Sequence, residues 1–136
     1  MSGRTALPFA PKSTAHVRAG DFWAVPLRRE GWFACGQVLG LLPSRVLLIT
    51  GLLDWCAPQP PTVASIAGAA VLDYGRAHVK SISATGGMLI GHRPLAPCGK
   101  WTDASSTWGL AYMQARANHR FERGSLALPG AHRPAG

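Results

Sequence analysis

The sequence predicts an α+β domain: a small, curved, mostly antiparallel sheet with a C-terminal helix. Three observations predict it. A stretch with period-2 apolar spacing, Asp21 to Leu27, leads through a short turn ending in glycine into a second strand-like stretch, Trp32 to Leu39. A third run, Val46 to Trp55, is apolar at both parities, as a strand buried on both faces must be. Leu110, Met113, Ala117 and Phe121 then recur at helical spacing near the end of the chain. An SH3-like, partly open barrel is one form such a sheet can take. At 136 residues one core is expected, and the balance of 47% apolar to 15% charged residues favours packing over disorder.

Residues 1–19 and 124–136 are rich in Gly, Pro, Ala, Ser and Arg without periodicity and read as flexible tails around a single domain at 20–123. Within it, Trp23, Val25 and Leu27 share the core-facing parity of the first strand. Pro26 cannot donate a ladder hydrogen bond, so this strand belongs at an edge or turns that nitrogen away from its partner. Arg28-Arg29-Glu30-Gly31 is the turn, closed by a glycine that tolerates positive φ. Gly40 to Arg45 makes the next turn, into the third strand.

Ala57-Pro58-Gln59-Pro60-Pro61 is a rigid, extended connection, because each proline fixes its own φ and biases the residue before it away from helix. Thr62 is placed to cap a short helix reaching about Gly68, with Val63, Ile66 and Ala67 on one side. Val79 and Ile82, the turn signal Thr85-Gly86-Gly87 and the run Met88-Leu89-Ile90 predict a second hairpin across residues 71–90; a helix from Val71 to Ile82 is the alternative. Ser105, Ser106 and Thr107 offer caps for the C-terminal helix, and Gly124 stops it. Trp108 and Tyr112 extend its buried face as an i, i+4 pair.

The chain carries a formal charge of +8, spread along its length. Five basic and two acidic residues lie in the first 30 positions, and four and one from Gln114 onward. Such a surface attracts acidic proteins, nucleic acid or anionic lipid without choosing among them. The segment from Met1 to Val17 has no continuous apolar core and no cleavage site, and the most apolar run is broken at Pro43-Ser44-Arg45, short of the roughly 18–20 residues a membrane span needs. A soluble cytoplasmic protein is the expectation. Cys35, Cys56 and Cys98 are odd in number and widely spaced, which points to neither a disulfide framework nor zinc; Cys35 and Cys56 read as small buried hydrophobes.

The five histidines form no HxH or HExxH pattern, and neither a GxSxG elbow nor a GxxxxGK[ST] loop is present. No catalytic residue, metal ligand or cofactor is therefore predicted; a site joining His92 to Asp54 or Asp73 needs a fold to assemble it. Asp21, just before the first strand, reads as a turn residue bonding nearby amides. Binding candidates are more numerous. Tryptophan and arginine concentrate binding energy at interfaces, which singles out Trp32 and Trp55 beside a turn and a loop, and Arg28 and Arg29 at the hairpin tip.

The run Gly20-Asp21-Phe22-Trp23-Ala24-Val25-Pro26-Leu27, a charged turn, and then Cys35-Gly36-Gln37-Val38-Leu39 resemble the opening hairpin of the immunity protein 26 family, also named for a bacterial phosphotriesterase within it. The resemblance continues through Asp54-Trp55, the Pro58 to Pro61 loop and Leu89-Ile90-Gly91-His92-Arg93-Pro94-Leu95, covering about residues 20–95. Gln37 stands where many members have arginine, and Met88 near an expected tryptophan. The resemblance implies a bacterial protein that neutralises a cognate toxin of a polymorphic toxin system by occlusion; His92 and Arg93, within the matching run, join the binding candidates. It carries over no contacts and no toxin identity; a toxin acidic on its contact face is expected from Arg28 and Arg29 at the hairpin tip. It also implies a rival, phosphotriester hydrolysis. A third reading, a nucleic-acid-binding module, rests on basic charge and exposed aromatic residues alone.

Overall fold

β1 (Asp21–Pro26) and β2 (Phe33–Leu41) form the expected hairpin, with Phe22 opposite Gln37 and Pro26 opposite Phe33. The computed structural model describes residues 7–84, 87–95 and 106–128. The Arg28–Gly31 turn closes through a hydrogen bond from the Leu27 N–H to the Trp32 carbonyl, and Gly31 takes the positive φ of +81° that the tight reversal requires. Trp23, Val25 and Leu27 are buried on one face of the sheet as their parity predicts, while Phe22 is buried on the other. Pro26 lies beyond the reach of the strand on the outer side of β1, which pairs only with Asp21 to Trp23, so its missing N–H leaves no ladder bond unmade.

β3 (Leu47–Ala57) is central and buried on both faces: Leu48, Leu52 and Cys56 join the larger core cluster, Leu53, Trp55 and Ala57 the second, and Ile49 a third with Leu39. It pairs with β2 on one side and β4 (Val71–His78) on the other. The predicted second hairpin is not formed. After β4, Val79 and the short α1 (Lys80–Ser83) carry the chain under the sheet, and β5 (Leu89–His92) docks on the far edge against β1. The physical reason is that Val79 and Ile82, read as strand residues, are core plugs; burying both spends this stretch on a crossing. The turn residues Thr85 and Gly86 lie outside the described residues. The order β5-β1-β2-β3-β4-β6 is an open sheet whose end strands do not meet, so an SH3-like closure is not seen.

Two further expectations are corrected. Residues 63–68 make successive turns, with no helix: the Thr62 and Ser65 side chains each accept the other's backbone N–H, at 3.0 and 2.8 Å, and Ile66 enters the core while Val63 stays 51% exposed. The C-terminal helix starts later than its predicted caps. Thr107–Trp108 is β6, the only parallel pairing among the described strands, held where the Arg76 N–H donates to the Ser106 carbonyl. α2 (Tyr112–Glu122) follows with Ala111 as an N-cap that makes no side-chain bond. Leu110 therefore falls outside the helix, 47% exposed, while Met113 and Ala117 are buried and Phe121 packs partly on the core. The Trp108–Tyr112 contact exists, with centroids 4.9 Å apart, but joins β6 to the helix instead of lining one helix face. Gly124 stops α2 with φ +70°, as predicted.

Parts of the predicted tails are structural. Phe9 forms a bridge to Leu89, Val17 is in the main core, and Leu126 is buried against β3, where the Cys56 N–H donates to the Ala127 carbonyl. Among the described residues no helix is long and apolar enough to cross a membrane.

Candidate functional site

The hairpin tip brings Arg28, Arg29 and Trp32 together against α2. The Arg29 guanidinium sits 5.3 Å from the Trp32 ring centroid, a cation–π arrangement, and Trp32 in turn contacts Phe121 at 5.4 Å. Arg28 pairs with Glu122, Nε to Oε2 at 3.2 Å. The backbone beneath is locked by two α2 side chains: Asn118 Oδ1 accepts the Arg28 N–H at 2.6 Å, and Gln114 Nε2 donates to the Pro26 carbonyl at 2.9 Å. Asn118 also donates to the Gln114 carbonyl one turn earlier, so the two amides act as one brace. Sequence reasoning missed both. Polar residues in a helix read as its solvated face, and only the tertiary fold sets them over a hairpin whose carbonyl and N–H need partners.

The helix is pinned to the sheet a second time by Asp73 on β4, which accepts from Arg120 Nε at 2.7 Å and Arg116 Nε at 3.3 Å. Burial alone would raise the Asp73 carboxyl, but the two guanidinium hydrogen bonds and charges outweigh it and hold it below its ordinary value. The same contact raises Arg120.

At the opposite end of β1 lies a buried polar network. Asp21 is 0% exposed; one carboxylate oxygen meets His92 Nδ1 at 2.8 Å and the other accepts the Arg18 N–H at 2.9 Å. The backbone-bonding role predicted for Asp21 is thus present, and His92 is beside Asp21, not Asp54 or Asp73. In the neutral ring with its proton on Nδ1, Nε2 is left as an acceptor on a side chain 22% exposed. Gly20 is required here: its φ is +107°, and an added Cβ would lie 2.8 Å from the imidazole. Arg93 turns inward, donating to the Ile66 and Ala69 carbonyls at 2.7 and 3.1 Å and to Gln37 Oε1 at 2.9 Å. Gln37 Nε2 completes the network at the Gly20 and Arg93 carbonyls. An arginine at position 37 has no acceptor atom to offer Arg93, so glutamine here matches the guanidinium it faces.

Trp55 takes no part in any surface: it is 1% exposed, in the core. Cys35 and Cys56 are buried and free, as predicted; burial raises both thiols, opposed at Cys35 by the Arg93 charge and reinforced at Cys56 by Asp54, which disfavours the thiolate at both. Cys98 lies outside the described residues. Among the described residues, no group of three or more His, Cys, Asp and Glu is placed to hold a metal ion.

Compared with known proteins, this chain matches no family model, no curated protein and no solved structure. The hairpin tip offers two exposed arginines on a braced turn, with Trp32 half-buried beside them; the His92 end offers one oriented imidazole.

Proposed function

We propose that this chain is a binding protein of the immunity type, which neutralises a cognate bacterial toxin by occlusion and contacts it through the hairpin tip. One observation carries the reading: Arg28 and Arg29 stand exposed on a turn that Gln114 and Asn118 brace, with the half-buried Trp32 packed between Arg29 and Phe121 beside them. Arginine and tryptophan supply most interface energy, and a surface ordered in advance loses less entropy on association. The excess positive charge, spread along the chain, favours encounter with an acidic partner. The hairpin resemblance over residues 20–95 supplies the class of partner.

The test is co-expression with the toxin encoded in the adjacent reading frame. The expected outcome is rescued growth and a co-purified complex, with Arg28→Glu plus Arg29→Glu weakening affinity at least tenfold in low-salt buffer. Unchanged affinity in that double variant rejects the surface; no rescue and no complex rejects the reading.

A second reading, phosphotriester hydrolysis, draws on the Asp21–His92 pair, since a carboxylate that orients an imidazole prepares Nε2 to take a proton from water. Turnover of an aryl phosphotriester, with or without added divalent metal, that disappears in His92→Gln would favour it over binding. The nucleic-acid reading gains less, because the Trp32 ring already packs on Phe121 and under Arg29.

A further inference from the structure

We propose that the groove between the hairpin tip and α2 receives an extended acidic segment of the protein partner, with Arg28 exchanging Glu122 for a carboxylate of that segment. The inference rests on the binding reading above and names the chemistry its site takes. The groove, about 340 Å³, is lined by Leu27, Arg28, Ala111, Gln114, Ala115 and Asn118. Ala111 and Ala115 lie one turn apart, so nothing beyond a methyl group stands between an arriving backbone and the helix.

Its polar atoms suit a peptide. Gln114 spends its amide N–H on Pro26, and its Oε1 accepts from no described residue, which leaves an acceptor for a peptide N–H. Asn118 Nδ2 donates one hydrogen to the Gln114 carbonyl and keeps a second for a peptide carbonyl. A nucleic-acid backbone has many acceptors and no N–H donors, so Gln114 Oε1 favours protein over phosphate.

Charge completes the argument. The hairpin tip, α2 and the residues that pair with them hold Arg28, Arg29, Arg116, Arg120 and Arg123 against Glu30, Asp73 and Glu122, with Asp73 shared by two arginines. The Arg28–Glu122 pair is 69% and 53% exposed at its two side chains, so water competes for both partners and the pair holds Arg28 weakly. Exchange for an incoming carboxylate costs little.

The test is a titration of the ¹⁵N-labelled chain with acetyl-(Glu-Ala)4-amide in low-salt buffer, alongside acetyl-(Gln-Ala)4-amide and a 12-nucleotide single-stranded DNA. Expected are shifts at the Gln114 and Asn118 side-chain amides and the Arg28 Nε–H, at least fivefold weaker binding in Arg28→Gln, and at least threefold tighter binding in Glu122→Gln, which removes the internal competitor. Both positions are exposed, so neither variant threatens the fold. Shifts elsewhere on the surface, Glu122→Gln binding no tighter than wild type, or the oligonucleotide taking the same resonances more tightly than the Glu peptide would overturn the proposal. Toxin capture that persists while the groove stays silent overturns the groove and leaves the binding reading standing; a responsive groove without toxin capture does the reverse.

Discussion

Trp55 packs among Phe22, Cys35, Leu53 and Ile66 with its indole N–H buried and without a hydrogen-bond partner among the described residues. A buried donor left unpaired costs about 1–3 kcal/mol, so the ring stabilises by its area while its nitrogen works against it. Trp55→Phe removes that donor together with part of the ring, and the two effects oppose each other. We expect a change in unfolding free energy under about 1 kcal/mol, against about 3–5 kcal/mol for Trp55→Ala, measured by urea denaturation. A loss for Trp55→Phe as large as for alanine would mean that the nitrogen has a partner. Residue type in the sequence marked Trp55 as an interface candidate; burial decides otherwise, because proximity to a loop in sequence says nothing about which face the ring takes.

Elements were legible where their signal is local. The β1–β2 hairpin follows from parity and one glycine, β3 from apolar residues at both parities, and the end of α2 from Gly124. Strands were expected where β4 and β5 stand, but as one hairpin; that β4 pairs with β3 and β5 with β1 was not legible, because a strand signal does not name its partner. The start of α2 was missed for a related reason: Thr107 and Trp108 carry cap and helix signals, yet an open sheet edge at Arg76 and Ala77 captures their backbone. Gly75 makes room for this, since a Cβ there would lie 2.5 Å from the Trp108 indole nitrogen. The pinning of α2 to β4 carries a pH signature. Asp73 is depressed in the folded state, so its contribution is complete above the ordinary carboxyl value of 3.8 and is lost as pH falls through the lowered folded value. Asp73→Asn should cost about 2 kcal/mol at pH 7, and the gap to wild type should close on acidification below pH 3.8. Urea unfolding across that range checks it; a gap independent of pH would assign the loss to packing.

At the scale of the whole molecule, segments read as tails close the structure. The Ala127 N–H donates to the Asp54 carboxylate at 3.0 Å, and the Leu126 carbonyl lies 3.7 Å from Cys56 Sγ. Deleting residues 125–136 should cost about 3 kcal/mol, the sum of one buried leucine and its attendant hydrogen bonds. It should also open Cys56, and leave Cys35 closed, to a thiol reagent such as DTNB; equal protection of both thiols would show that the strap covers nothing.

The sequence by itself determined the class of structure, the leading hairpin, the buried central strand, the approximate place of the last helix and the arginine side chains on the exposed turn. These are written in spacing and turn chemistry that neighbouring residues share. Only the tertiary structure decided that β5 pairs with β1, that Asp21 faces His92 across 71 positions and that Gln114 and Asn118 brace a turn some 90 positions away. Such pairings depend on which open edge and which unmet backbone group the folded chain leaves nearest, and a local pattern holds no record of either.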